Sequence, residues 1–140
     1  MSKLQVAREV AMGYRGMPYI WGGDDPIKGF DCSGFCIEIL KSVGLLPRSG
    51  DWTAAGLFEK FESSPQGFEG CLVYYRSSRN NRIIHVEYCL GEGLAIGASG
   101  GGSSTTNAEI ASSKNAYIKI RPFESRSNMA GFNDPFAELR

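Results

Sequence analysis

Two residues of this sequence, Cys32 and His85, have the chemistry of a nucleophile and its general base. Apolar residues at helical spacing after Cys32 predict a helix that begins at Cys32 or Ser33 and ends near Gly44. Unpaired N–H groups and the helix dipole at such an end favour negative charge, and therefore favour a thiolate that can attack a carbonyl carbon. His85 is the only histidine and lies in a predicted strand. If that strand packs beside the helix, its imidazole can take the thiol proton.

Each of these residues, taken alone, has a simpler interpretation. A single histidine in an apolar strand is more often structural, and a cysteine at a helix start is more often a small buried apolar side chain. Two segments together favour catalysis. The first, PYIWGGDDPIKGFDCSGFC, runs from Pro18 to Cys36, and the second, IIHVEYCLG, runs from Ile83 to Gly91.

These two segments resemble the NlpC-type family of cell-wall cysteine peptidases, which belongs to the papain-like clan. The resemblance rests on an aromatic-Gly-Gly loop at residues 19–23, on the turn FDCSG at residues 30–34 and on the pair HV at residues 85–86. It covers roughly residues 2–123. The resemblance implies that Cys32 is the nucleophile, that His85 is the general base, and that the Tyr19 hydroxyl helps to hold the nucleophile region and the oxyanion site. A packed core aromatic is the alternative interpretation of Tyr19.

Three further residues match positions that surround the site in the family. Asp31 and Ser33 match positions that shape the turn and the substrate groove, although both side chains are also typical helix caps. Trp21 is expected to form a wall of the cleft, and its alternative is a side chain that only fills the loop. The resemblance therefore assigns Asp31, Ser33 and Trp21 to substrate binding.

The residue that should orient His85 is where this chain departs from the family. A polar residue usually stands about twelve positions after the catalytic histidine and fixes its tautomer, and here that position is Gly97. Ser99, Asn107 and Glu87 are the candidates; Glu87 replaces a frequent glycine, and strand parity places it on the face of His85. The alternative is a water molecule or a main-chain carbonyl. We predict a Cys–His pair without a strong third side chain, so that alanine at each candidate lowers kcat/KM by less than about tenfold.

The elements that must position these residues are helices in the first half and strands in the second. Helices are predicted over 2–13, 32–44 and 53–61, and strands over 72–75, 83–90, 94–98 and 116–120. The Gly- and Pro-rich stretch 13–31 is predicted as an ordered loop, SGGGSSTT at 99–106 as a broad turn, and 124–140 as a C-terminal tail. This order predicts one α+β domain over 1–140, with N-terminal helices packed on a C-terminal antiparallel sheet. The resemblance implies its papain-like form.

Composition narrows the classes of function. The chain has 140 residues, with 15 basic residues balanced by 15 acidic ones, so neither nucleic acid nor a membrane surface is an expected partner. Its apolar runs are much shorter than the roughly 18 residues that span a bilayer. The four cysteines lack metal-binding spacing, which predicts free thiols and no metal site. Cys36 is expected to pack in the core, and Cys71 to be a buried or edge thiol.

The resemblance implies hydrolysis of an amide bond in peptidoglycan stem peptides, of the D-glutamyl-diamino acid type, through an acyl-enzyme on Cys32 and without a cofactor. The alternatives are a papain-like amidase or acyltransferase that acts on a protein or lipid, and a degenerate non-catalytic phage structural domain. The N-terminus lacks the apolar stretch of a secretory signal. We therefore expect synthesis in the cytoplasm without a signal peptide, and delivery to the cell wall with phage tail or lysis components or by another secretion machine.

Overall fold

The fold is an α+β arrangement of helices on an antiparallel sheet, as predicted. The computed structural model describes residues 1–25 and 29–140; residues 26–28 of the predicted loop lie outside the described part. The helices are α1 (Lys3–Gly13), α2 (Cys32–Ser42), α3 (Ala54–Lys60) and α4 (Ala108–Ser113), with 3-10 turns η1 (Phe123–Ser125) and η2 (Ala137–Leu139). The strands are β1 (Asp24–Asp25), β2 (Gly29–Phe30), β3 (Ser63–Ser64), β4 (Leu72–Arg76), β5 (Ile83–Gly91), β6 (Leu94–Ser99), β7 (Tyr117–Pro122) and β8 (Met129–Asn133). Within the described residues, no helix is both long and apolar enough to cross a membrane.

Polar side chains fix where the first and third helices begin. Ser2 caps α1: its hydroxyl accepts the Gln5 N–H at 3.1 Å, and the Gln5 side chain accepts the Ser2 N–H at 2.7 Å. Thr53 caps α3 by accepting the Gly56 N–H at 3.0 Å. Such caps satisfy N–H groups that have no acceptor within the helix. They confirm the helix starts that the sequence predicts.

Six of the strands form one antiparallel sheet in the order β3-β8-β4-β5-β6-β7. Alternate strand positions face opposite sides of a sheet. One set, which includes Leu72, Tyr74, Tyr88 and Ile96, packs with the helices in the main core. The other set forms a smaller cluster with Phe123 and Phe132; its members are Cys71, Val73, Tyr75, Cys89 and Ala95. The sheet therefore has two packed faces.

Two connecting segments hold more structure than the sequence predicts. The connection between β6 and β7 is not only a broad turn, because α4 lies within it and Asn107 caps that helix by accepting the Ile110 N–H at 2.9 Å. The prediction of residues 124–140 as a tail is wrong for β8, which pairs with β3 and β4 inside the sheet. Both segments are too short for a clear hydrophobic period, so contacts with the rest of the fold decide their structure.

Candidate active site

Asp31 sets the place of Cys32 at the first position of α2. One Asp31 carboxylate oxygen accepts the Gly34 N–H at 2.7 Å and the other accepts the Gly22 N–H at 3.2 Å. The Ser33 hydroxyl lies 3.4 Å from the same carboxylate. Burial raises the pKa of Asp31, and these hydrogen bonds offset part of that effect. The carboxylate thus ties the glycine loop to the helix end, as its alternative interpretation as a helix cap predicts.

The two glycine motifs of the sequence meet at this helix end. A Cβ atom on Gly34 would overlap the carbonyl oxygen of Gly23 and lie 2.8 Å from an Asp31 carboxylate oxygen. The Gly23 carbonyl also accepts the Asp31 N–H at 3.0 Å. The close approach of two backbone segments therefore explains the glycine of the FDCSG turn.

Gly34→Ala should destabilise the fold, although alanine is the better helix former. The helix preference gains at most about 1 kcal/mol, whereas overlap with a backbone carbonyl costs about 1–3 kcal/mol. We expect a net loss in the free energy of unfolding, measured by urea titration. Gly102→Ala is the matched control, since its Cβ atom would have nothing within 4 Å. A Gly34→Ala variant as stable as the control would contradict the prediction.

His85 comes beside Cys32 from β5. The Cys32 Sγ lies 4.0 Å from the carbonyl oxygen of Ile84, the residue before His85, and the Cys32 side chain is close enough to raise the pKa of His85. Cys32 is 9% exposed and His85 is 5% exposed. The helix start and the strand therefore bring together the two residues that the sequence selects.

Glu87 is the third member of this cluster. Its Oε2 lies 2.7 Å from the His85 Nε2, and both side chains are buried. Burial lowers the pKa of His85, but the interactions with Cys32 and Glu87 outweigh it, so the pKa is raised. Of the three candidates for the third position, Glu87 is therefore the one in contact with His85, and the prediction of a small kinetic effect at each candidate stays a prediction. Glu87 makes this contact from β5, the strand of His85 itself.

The other two candidates for that position lie elsewhere. The Ser99 hydroxyl accepts a hydrogen bond from the Arg121 guanidinium at 2.9 Å. Asn107 is the cap of α4 and is exposed. Neither of these hydrogen bonds involves His85. Of the three candidates, Glu87 is therefore the one whose hydrogen bond is to His85.

Tyr19 is buried near the nucleophile, with 5% of the residue exposed. Burial raises the pKa of its hydroxyl, the nearby Cys32 and Asp31 raise it further, and Arg126 offsets a small part. The phenol therefore stays protonated at neutral pH and can donate a hydrogen bond. Gly101 packs so closely on the Tyr19 ring that a Cβ atom there would overlap it. The glycines of the SGGGSSTT turn were the only signal of this contact in the sequence.

Trp21 and the other three cysteines, for which the sequence also makes predictions, differ in their exposure to solvent. Trp21 is 54% exposed, which fits a cleft wall better than a loop filler, and its backbone N–H donates to the Thr105 carbonyl at 2.7 Å. The other cysteines, Cys36, Cys71 and Cys89, are fully buried free thiols, and burial raises their pKa values. Among the described residues, no three His, Cys, Asp or Glu side chains gather as metal ligands.

The sequence of this chain is similar to those of known proteins. The model of the NlpC/P60 family matches residues 16–124. The bifunctional muramidase/DL-endopeptidase CwlT of Bacillus subtilis is 31% identical over 104 residues, which cover 73% of this chain and 31% of that protein. The gamma-DL-glutamyl hydrolase of the same organism is 36% identical over 91 residues, which cover 61% of this chain and 21% of that protein. The chain thus spans less than a third of either relative.

A solved structure extends the similarity to the fold. The NlpC/p60 domain of the peptidoglycan hydrolase SagA superposes with a TM-score of 0.69 at 26% sequence identity. The match covers 94% of this chain and 97% of that domain. The described fold is therefore similar to an NlpC/p60 domain along nearly its whole length.

Proposed function

Because the chain belongs to the NlpC/P60 family, we propose that it is a cysteine endopeptidase that cleaves the bond between D-glutamate and the diamino acid of peptidoglycan stem peptides. The observation that carries this proposal is that Cys32, at the start of α2, lies against β5 beside the buried His85. The relatives support the type of bond, since one is a DL-endopeptidase and another is a gamma-DL-glutamyl hydrolase. The SagA domain supports peptidoglycan as the substrate.

The first half of the reaction forms an acyl-enzyme. His85 accepts the proton of the Cys32 thiol, and the thiolate sulfur attacks the carbonyl carbon of the scissile amide. The Cys32 N–H has no acceptor within α2 and can donate to the oxyanion together with the protonated Tyr19 hydroxyl. The imidazolium then gives its proton to the leaving amine as the C–N bond breaks, which leaves a thioester on Cys32.

The second half releases the acyl group. His85 takes a proton from a water molecule whose oxygen attacks the thioester carbon, and the thiol leaves with that proton. The products are a free carboxylate and the original thiol, so the cycle needs no cofactor. Trp21, Asp31 and Ser33 stay predictions as substrate-binding residues. The Asp31 oxygens already accept the N–H groups of Gly34 and Gly22, which favours a supporting role for Asp31.

The test is digestion of purified stem peptides of known sequence, with products identified by mass spectrometry. Cleavage after D-glutamate releases an alanyl-glutamate dipeptide and a fragment that begins with the diamino acid. We expect these products from the unaltered protein and none from Cys32→Ala. Cleavage only between the D-alanine and diamino acid of cross-linked peptides would overturn the proposed bond. No cleavage of stem peptides or of whole sacculi would overturn the proposed function.

The route to the cell wall is a separate matter. The phage tail or lysis partners and delivery without a signal peptide stay predictions from the sequence. Pull-down of tail or lysis proteins with the Cys32→Ala protein would test the partners directly.

A further inference from the structure

Glu87 and Gly97 form a matched pair of residues beside His85. We propose that Glu87 is a positioning residue that orients the His85 imidazole and stabilises its charged form, and that Gly97 is required because the Glu87 side chain fills the space above it. This inference deepens the proposed function and rests on it for the role of His85. Its physical basis is independent of which bond the protein cleaves.

The contact between Glu87 and His85 has the properties of a functional pair. The 2.7 Å separation joins Oε2 to Nε2, and Glu87 is only 3% exposed. A carboxylate is costly to bury unless it is paired and hydrogen-bonded. Since Nε2 faces Glu87, Nδ1 is the ring nitrogen left for the proton of Cys32. The carboxylate therefore selects the orientation in which the imidazole can serve the thiol.

Gly97 provides the room for this carboxylate. A Cβ atom on Gly97 would lie 2.5 Å from Cγ, 2.9 Å from Cδ and 3.1 Å from Cβ of Glu87. The pairing of Tyr88 with Ile96 and of Cys89 with Ala95 continues to place Gly97 beside Glu87 on the neighbouring strand. Any side chain at position 97 would thus occupy the volume that Glu87 now fills. The two residues are coupled through this shared space.

Charged and titratable groups from several elements surround His85 and Glu87. The imidazole meets Cys32 of α2, Glu87 of β5 and the Tyr75 ring of β4, whose centroid lies 5.6 Å away. The guanidinium carbon of Arg126 lies 5.4 Å from the centroid of the same Tyr75 ring.

On the β7 side of Gly97 the cation is Lys119, which pairs with Gly97 across β6 and β7. Its Nζ donates to the Asn115 carbonyl at 3.0 Å and lies 4.6 Å from the Tyr117 ring. The hydrogen bond of Glu87 therefore goes to His85 and that of Lys119 to backbone.

The first experiment is an NMR titration of the imidazole. His85 is the only histidine, so histidine labelled with ¹⁵N gives one ring system and needs no assignment. We expect Glu87→Gln, which keeps the shape and removes the charge, to lower the pKa of His85. Glu92→Gln, at an exposed glutamate in the turn after β5, is the matched control and should leave the titration unchanged.

The second experiment measures the pH profile of Cys32 alkylation and of peptide hydrolysis. Loss of the Glu87 charge should move the alkaline limb of the hydrolysis profile to lower pH, because the imidazolium then loses its proton earlier. It should move the rise of the alkylation rate to higher pH, because the thiolate then has a weaker imidazolium partner. A residue that only supports packing would lower the rate or the stability and leave the limb in place. The pH at which the limb falls therefore separates positioning of His85 from a structural role.

The third experiment tests the coupling between positions 87 and 97. Gly97→Ala should lower kcat/KM at least about tenfold in the unaltered background, because the new Cβ displaces Glu87. In a Glu87→Ala background, where that space is empty, adding Gly97→Ala should change kcat/KM less than about twofold. Urea titration of each variant shows whether it is folded. This comparison of single and double variants does not use Glu87→Gln, so it can be made even if that variant does not fold.

Three results would overturn the inference. They are a His85 titration that Glu87→Gln leaves unchanged, an alkaline limb that stays in place, and an equal cost of Gly97→Ala in both backgrounds. Failure of the proposed function is a different result, in which the unaltered protein cleaves no stem peptide. The imidazole titration and the alkylation profile need no peptidoglycan, so they still decide the role of Glu87 in that case.

Discussion

Cys32→Ala should abolish hydrolysis of stem peptides while the protein keeps its fold. The acyl-enzyme forms on the sulfur of Cys32, and no other side chain of the cluster can replace that nucleophile. We expect kcat/KM to fall by at least about a thousandfold, which corresponds to about 4 kcal/mol of transition-state stabilisation. Cys32 is 9% exposed and lies at the end of its helix, so loss of one sulfur atom costs little packing. The measurement is the rate of product release from a defined stem peptide.

Cys36→Ala is the matched control for this change. Cys36 lies one turn later on α2 and is fully buried, so its truncation removes the same atom from the same helix and keeps Cys32, His85 and Glu87. We expect activity near that of the unaltered protein and a larger loss of stability than at Cys32. Iodoacetamide should label the native protein at Cys32 before the buried thiols. Residual hydrolysis by Cys32→Ala within tenfold of the control would contradict the covalent mechanism.

The elements that carry the nucleophile and the base could be predicted from the sequence because their signals are local. A capping residue before an apolar stripe marks α2 and α3, and short runs of mainly apolar residues bounded by turn residues mark β4, β5 and β6. The turn between β5 and β6 has Glu92 and Gly93, both with positive φ, as a tight hairpin needs. Each of these features lies within a few residues, so no tertiary contact is needed to interpret it.

The third member of the site could not be fixed from the sequence because it depends on tertiary structure. Strand parity places Glu87 and His85 on one face, but residues two apart on a strand are about 6.6–6.8 Å apart along it. Their side chains meet only because both are enclosed and Gly97 leaves space for the bend of the Glu87 chain. The useful signal in the sequence is the combination of an acidic residue at 87 and a glycine at 97, since both positions depart from the family pattern. Considered separately, each indicated only a departure from the family.

The packing of Tyr19 shows the same limit. The sequence selects Tyr19 from its motif, whereas the contact with Gly101 joins segments that are distant along the chain. Strand β8 was not predicted for a related reason. Its sequence, MAGFN, has no alternation of apolar and polar residues, and it forms a strand through its pairing with β4. Side-chain identity at these places is compatible with several structures, and the neighbouring strands select one of them.

His85→Gln should be nearly as damaging to hydrolysis as the loss of Cys32, and it is a better test than His85→Ala. Alanine would leave the buried Glu87 carboxylate without a partner, and a stranded buried charge costs about 3–5 kcal/mol of stability. The glutamine amide can still donate to Glu87 but cannot act as a base near neutral pH. We therefore expect a folded variant whose kcat/KM falls at least about a thousandfold.

The rate of Cys32 alkylation in His85→Gln, measured at two pH values, tests whether His85 activates the thiol. The raised pKa of His85 keeps an imidazolium partner available for the thiolate at a higher pH than an unperturbed histidine would. At about pH 6 the variant should therefore react with iodoacetamide at least tenfold more slowly than the unaltered protein. At about pH 9.5 the two rates should converge, because the thiolate then forms without a partner. Equal rates at both pH values, in a variant that urea titration shows to be folded, would mean that His85 does not activate Cys32.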